Sequence, residues 1–355
     1  MRTASALAGL LALALAAPAS GAPQHPAPKQ RPAPSGAPLD DGRPLIVEAV
    51  AAGKHVSFVG QLSLIMSGTT QATAVVSKVE HRAPDETRRT YLAPRVLYGQ
   101  YVISRGATSW DVSPNQKRVV VTENKAAVDP VAVVDDIALL DSNYRAERSG
   151  SDAVASRPAD VVDLVSKYTG ERAMRLWIDQ QTHVVLAKES YHSDGSLAWR
   201  SRFDDIRYTN DVPQAIFADT VPQGFSVTHG RTYEQPRTVP NAMPDPGFKP
   251  VTPKYLPDGF ALIGSALSEA AGVHSLHLIY SDGIRTISLF QNAGGRTTDF
   301  TGMQAQATSF EGHDAHYVRE GPTTMLAWHE HDLNFVLIGD LDLKELVSIA
   351  ISVVP

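Results

Sequence analysis

The histidines in the last third of the chain are the residues whose types and spacing come nearest to chemistry. His329-Glu330-His331 follows His274, His277, His313 and His316. On a strand, His329 and His331 would share a face, and a third imidazole or carboxylate would complete a zinc site. The plainer alternative makes these histidines the polar outer face of an antiparallel sheet, and on that reading no metal is expected. Two carboxylate pairs, Asp135-Asp136 and Asp204-Asp205, are candidates for acid–base work. Adjacent residues on a strand point to opposite faces, however, so neither pair could cooperate. The sequence has no Gly-x-Ser-x-Gly elbow, phosphate loop, dinucleotide glycine fingerprint or His-Glu-x-x-His pair. It therefore reads as a binding protein and not an enzyme, with no cofactor implied.

Apolar side chains offer a different kind of site. Trp110, Trp177, Trp199 and Trp328 all lie in strand-like surroundings. Core packing accounts for each taken singly. The alternative is that a sheet of this length curls as it twists and leaves a concave face to be filled or occupied. The candidate lining of such a hollow is Phe58, Leu62, Leu64, Tyr101, Trp110, Trp177, Trp199 and Phe203. A fatty acyl chain would suit it, since each buried methylene contributes ~0.8 kcal/mol. The sequence leaves open whether a ligand or the protein's own side chains fill the space.

The elements that must position these residues alternate between short strands and a few helices. A helix is predicted over 44–53, with Pro44 in its first turn and Gly53 at its end. Strands are predicted at 56–66, 74–79, 90–92, 100–104, 108–112 and 118–122, each short, rich in β-branched residues and bounded by Gly, Pro, Asn or Asp. Asp129-Pro130 starts a second helix, with Val131, Val134, Ile137 and Leu140 on one side. The sheet resumes at 160–167 and runs through a three-stranded meander from Trp177-Ile178-Asp179 to Tyr208, turned by Ser193-Asp194-Gly195-Ser196. Beyond a second unit of strands at 275–280, 286–291, 308–310, 315–319, 325–331 and 333–338, Asp342 and Glu345 form a capping box. Leu343, Leu346, Val347, Ala350, Ile351 and Val354 follow as an apolar helical stripe. The fold class is α+β: a curved, open antiparallel half-barrel sheet wrapped around helices, then a smaller α+β domain ending in a helix.

The ends and composition bound the function. Arg2 and the apolar run Ala4–Ala17, followed by Ala17-Pro18-Ala19 and Ser20-Gly21-Ala22, read as a cleaved signal peptide over 1–22. The mature protein is thus expected to be soluble and periplasmic. Residues 23–43 form a Pro-rich tether, 44–230 the large domain, 231–253 a second Pro-rich linker and 254–355 the small domain. The chain has no cysteine, which excludes disulfides and thiolate chemistry. Its 32 basic and 38 acidic residues give a net charge of -6, which argues against nucleic acid as a partner.

Several segments carry a resemblance. Tyr91-Leu92-Ala93-Pro94, Trp110-Asp111-Val112-Ser113-Pro114, Leu176-Trp177-Ile178-Asp179, the Asp194-Gly195 turn and Phe203 resemble the lipoprotein-carrier (LolA-like) superfamily. Pro253-Lys254-Tyr255-Leu256-Pro257-Asp258-Gly259-Phe260, Tyr280-Ser281-Asp282-Gly283 and Leu337-Ile338-Gly339-Asp340-Leu341 are similar to the second domain of the MucB/RseB family of envelope-stress regulators. The resemblance implies a protein that binds the extracytoplasmic part of a membrane-spanning anti-sigma factor and shields it from proteolysis. Lipid or lipopolysaccharide acyl chains entering the large domain would loosen that grip, a coupling between two ligands. The small domain would carry much of the partner contact, with Tyr255, Phe260 and Tyr280 as candidates. The second functional reading is a periplasmic lipid or lipoprotein carrier. Open sheet edges could also pair across a homodimer.

Overall fold

In a computed structural model of the chain, residues 41–67, 73–122, 137–229, 245–270, 273–294, 300, 303–320 and 323–353 are described. The expected signal peptide, nearly all of the tether, linker residues 231–244 and the start of the helix expected from Asp129 lie outside these residues.

Two sheets of different size organise the protein. The first has twelve strands: β1 (Phe58–Met66), β2 (Thr73–Arg82), β3 (Glu86–Ala93), β4 (Tyr101–Arg105), β5 (Thr108–Ser113), β6 (Arg118–Thr122), β7 (Tyr144–Val154), β8 (Arg157–Ser166), β9 (Arg172–Asp179), β10 (Val185–Tyr191), β11 (Leu197–Tyr208) and β12 (Ser226–His229). Their spatial order is β12-β6-β5-β4-β3-β2-β1-β11-β10-β9-β8-β7, so the sheet is open. Every neighbouring pair is antiparallel except β12 with β6, which run parallel. Sequence pattern missed β12, whose four residues are all exposed and show no alternation to read. It also missed β7, where six consecutive exposed residues give no apolar period.

Two helices, α1 (Arg43–Ala52) and α2 (Ile137–Asn143), supply apolar residues to one face, called the inner face below. Pro44 occupies the first turn of α1, where a missing N–H costs nothing. Ile46 and Ala49 of α1, with Leu140 of α2, pack on Val162, Leu164, Met174, Leu176, Ile178 and Val185. Ala52 continues this layer onto Phe58, Leu62, Val79 and Phe203.

The meander is held by its turns. Asp179 Oδ1 accepts the backbone N–H groups of Gln181 and Thr182, both at 2.9 Å, which fixes the turn between β9 and β10. Asp194 Oδ1 does the same for Ser196 N at 2.8 Å, while Gly195 takes φ 78°. The Trp-Ile-Asp triplet thus divides three tasks among neighbours. Ile178 lies in the inner core, Trp177 in a separate cluster with Val161, Leu186 and Ala187, and Asp179 ties the turn.

The second sheet contains β13 (Ala261–Ala270), β14 (Val273–Ser281), β15 (Thr286–Ala293), β16 (Gln306–Phe310), β17 (His313–Glu320), β18 (Thr323–Glu330) and β19 (Leu333–Gly339), ordered β13-β14-β15-β19-β18-β17-β16. Helix α3 (Leu343–Val353) covers it. The expected capping box is present: Glu345 N donates to Asp342 Oδ1 at 2.8 Å, and Asp342 N to Glu345 Oε2 at 3.2 Å. The buried stripe is Leu346, Ile349, Ala350 and Val353, so Ile351 faces outward at 39% exposure, a correction to the expected stripe. Packing on a twisted sheet set the helix rotation, which the sequence period alone gave only to within about one residue.

Candidate functional site

The register of the large sheet sorts the expected cavity lining onto two faces. Pairings Phe58↔His81, Leu62↔Phe203 and Met66↔Trp199 place Phe58, Leu62, Leu64, Trp199 and Phe203 on the inner face. Phe58 and Phe203 meet edge to face, with ring centroids 5.6 Å apart. Tyr101 and Trp110 instead share the opposite face with Val59, where they pack around Ile103, Val212 and Phe217. Trp177 also faces outward: it pairs with Ala187, and its Nε1 donates to Asp152 at 3.0 Å, so the tip of the β7–β8 hairpin folds over it. The eight residues therefore do not line one hollow. Alternation within each strand was readable, but relating the faces of strands far apart required the pairing register.

On the inner face Phe58, Leu62 and Phe203 are buried by the protein's own side chains, while Leu64 and Trp199 stay half-buried. Beside them lies a buried lysine that sequence reading passed over. Lys188 is 6% exposed, with Nζ 5.2 Å from the Trp199 ring centroid. Two cavities bear on the site. One of about 10 Å³ lies beneath Ala218–Val221 against Tyr101, Trp110 and Val119. The other is a cleft of about 350 Å³ lined by Asp41, Arg43, Asp141, Tyr144, Glu147 and Lys167.

Two of the three motifs that carry the small-domain resemblance meet on one side chain of the large domain. Asn143, at the end of α2, donates through Nδ2 to the carbonyls of Gly259 at 2.8 Å and Asp282 at 2.9 Å, and its Oδ1 accepts from Tyr168 OH at 3.0 Å. Tyr144 OH donates to Asp282 Oδ2 at 2.7 Å, as does Arg285 Nε at 2.9 Å. Asp282 Oδ1 takes the backbone N–H groups of Ile284 and Arg285. The close approach explains both glycines: a Cβ on Gly283 (φ 99°) would lie 2.7 Å from Leu140 N, and one on Gly259 (φ 86°) 2.9 Å from Asn143 Cγ.

Charge is confined in this joint. Burial acts against the Arg285 guanidinium, yet Asp282 and Tyr144 outweigh it and hold its pKa above the ordinary value. Burial, then the Asp282 charge, pushes the Tyr144 phenol far up, so it stays a donor. Nearby, burial raises the pKa of Asp340, against the effect of the hydrogen bond from Thr323 at 2.8 Å.

The expected partner contacts are placed unequally. Phe260 and Tyr280 lie in the small-domain core at 8% and 3% exposure, and Tyr255 is 49% exposed. The motifs around them thus build the joint between domains. A structural role of this kind has no local sequence period to reveal it.

The histidines do not converge on a metal. His277 stacks on Phe290 at 4.0 Å, and His329 Nδ1 lies 3.0 Å from Asn334 Oδ1. His313 and His331 both turn Nδ1 toward Glu330, at 2.5 and 2.7 Å. His331 sits in a turn with φ 53°, past the end of β18, so it does not continue the face of His329. Among the described residues, no group of three or more His, Cys, Asp or Glu could hold a metal ion. Asp204 is the extra residue of a bulge in β11 and accepts from Ser63 Oγ at 2.6 Å and Gln61 Nε2 at 3.1 Å; simple alternation does not hold there. Asp135-Asp136 lies outside the described residues.

An open sheet with helices on one face, joined through buried polar contacts to a smaller sheet domain, defines a two-domain α+β fold. Residues 51–221 match the MucB/RseB N-terminal domain. Residues 250–353 match a domain of unknown function, DUF4367. Among solved structures, MucB in complex with MucA(peri) is similar over 88% of this chain and 98% of that one, at TM-score 0.60 and 17% identity. The Pseudomonas aeruginosa MucA/MucB complex gives 0.59 and 16% over 88% and 97%. The uncharacterised protein MJ0687 of Methanocaldococcus jannaschii is 22% identical over 218 residues, and this chain spans 60% of its length.

Proposed function

We propose that this protein is a periplasmic regulator that binds the extracytoplasmic segment of a membrane-spanning anti-sigma factor and shields it from proteolysis. The observation that carries the reading is the two-domain likeness to MucB seen in complex with MucA, which spans both domains and the joint between them. Among the described residues no helix is long and apolar enough to cross a membrane. Acyl chains of lipid or lipopolysaccharide act as the release signal in this proposal. Because Phe58, Leu62 and Phe203 are already buried, an acyl chain would have to part the helices from the sheet, and half-buried Leu64 and Trp199 mark its way in. That displacement would supply the differential energy a release signal needs.

The test is direct. The full mature chain is titrated against the purified extracytoplasmic segment of the host's single-span anti-sigma factor, and cleavage of that segment by its protease is followed with and without the chain. Stoichiometric binding and slowed cleavage are expected. Free cleavage at saturating protein would discard the proposal.

A further inference from the structure

Three connections emerge together at one end of the large sheet. Tyr101 pairs with Val112 and Arg118 with Ser113, so the β3–β4 and β5–β6 connections lie side by side. Ser226 pairs with Arg118, which brings the segment before β12 to the same end. These strand ends span roughly 20 Å at the usual interstrand spacing.

This rim exposes large apolar side chains on a rigid frame. Leu92, Val96 and Tyr98 are 39%, 46% and 64% exposed, and Val221 and Val227 follow at 38% and 44%. The β3–β4 loop is fixed by Leu97 N donating to Pro94 O at 2.9 Å, Gly99 N to Tyr91 O at 3.0 Å and Gln100 N to Leu97 O at 2.9 Å, with Leu97 itself buried as an anchor. A loop that flexed freely could fold these side chains inward; this one holds them out. Contiguous exposed apolar groups on a fixed frame mark an interaction site.

Charge selects the occupant. Arg95, Lys117 and Arg118 are exposed on the same connections, and no Asp or Glu occurs in residues 91–101, 113–118 or 220–227. Among the described residues, none of the three cations forms an ion pair; Asp219, just before Thr220, is held by Arg105 at 2.9 Å. A local surplus of positive charge on a chain of net charge -6 would steer and register an acidic partner.

We propose that this rim docks a stretch of the partner polypeptide that combines carboxylates with apolar side chains. The inference rests on the functional reading above and names the surface that would serve it. Tyr98 and Val96 would bury against the partner's apolar groups, and Arg95, Lys117 and Arg118 would pair with its carboxylates at the edge of the contact.

Two double variants of the full mature chain test it: Val96→Ser with Tyr98→Ser, and Arg95→Glu with Lys117→Glu. All four residues are exposed, and thermal melting checks that the fold is retained. Titration against the purified extracytoplasmic segment of the host's anti-sigma factor should show each pair weakening binding tenfold or more. The charge reversal should also flatten the salt dependence of binding. Unchanged affinity in both variants, with wild type binding, overturns the docking surface while leaving the functional reading intact. Variants that keep the segment but lose cosedimentation with phosphatidylglycerol vesicles overturn it in favour of a membrane contact. If the wild-type chain fails to bind the segment, the functional reading falls and takes this surface with it.

Discussion

Replacing Asp282 with asparagine probes the joint on which the two-domain arrangement depends. The carboxylate is fully buried and accepts four hydrogen bonds: from Tyr144 OH, Arg285 Nε and the backbone N–H groups of Ile284 and Arg285. Asparagine keeps one oxygen for the two backbone donors but turns an NH2 group toward Arg285 Nε. Arg285, with 19% of its side chain exposed, is left without its counter-charge. Losing one partner of a buried pair costs about 3–5 kcal/mol, and the residual exposure of Arg285 argues for the low end, about 3 kcal/mol. Part of this belongs to the turn alone. The part that acts between domains is the Tyr144–Asp282 bond, worth about 1.5–3 kcal/mol as a hydrogen bond to a charged group. A double-mutant cycle of Asp282→Asn with Tyr144→Phe isolates that coupling. Denaturant unfolding supplies the four stabilities, and calorimetry should show a single transition in wild type splitting into two in the double variant. A coupling energy below about 0.5 kcal/mol, within the additivity of independent sites, would refute the assignment of Asp282 as the interdomain tie.

Three further outcomes follow from the same structure. Gly283→Ala should lower stability by at least about 1 kcal/mol, because a side chain is strained at φ 99° and its Cβ would meet Leu140 backbone; an unchanged melting curve would contradict the close approach. Asp340 has a folded pKa raised by burial, so its ionisation opposes folding: the penalty is absent below about pH 3.8 and grows as pH rises toward the folded value. Asp340→Asn should therefore stabilise the protein at neutral pH and lose that advantage in acid, as read from melting temperatures across pH. Asp179 has the opposite sign. Burial pushes its pKa up, but Arg157 and the N–H groups of Thr182 and Gln181 outweigh it and hold it below the ordinary value. Its contribution is present above about pH 4 and lost as pH falls, and Asp179→Asn should cost about 1.5–3 kcal/mol at pH 7 by denaturant titration.

The sequence by itself located most of the secondary elements, though not β7, β12 or β13. Short β-branched runs bounded by turn residues located strands such as β6, and Asp342 with Glu345 announced the start of α3, because these signals depend on a residue's near neighbours along the chain. The same local reach identified the Trp-Ile-Asp turn. Tertiary structure decided everything that depends on which distant strands share a face. The eight candidate lining residues were divided by pairing register, since one step of register moves a side chain to the other side of the sheet. Phe260 and Tyr280 turned from expected contacts into core, because their motifs close onto Asn143, more than a hundred residues upstream. The exposed rim of Val96, Tyr98, Arg95 and Lys117 is likewise a product of the fold. Lys117 is distant in the chain from Arg95, Val96 and Tyr98, and the β5–β6 connection reaches their loop because β4, β5 and β6 hydrogen-bond side by side.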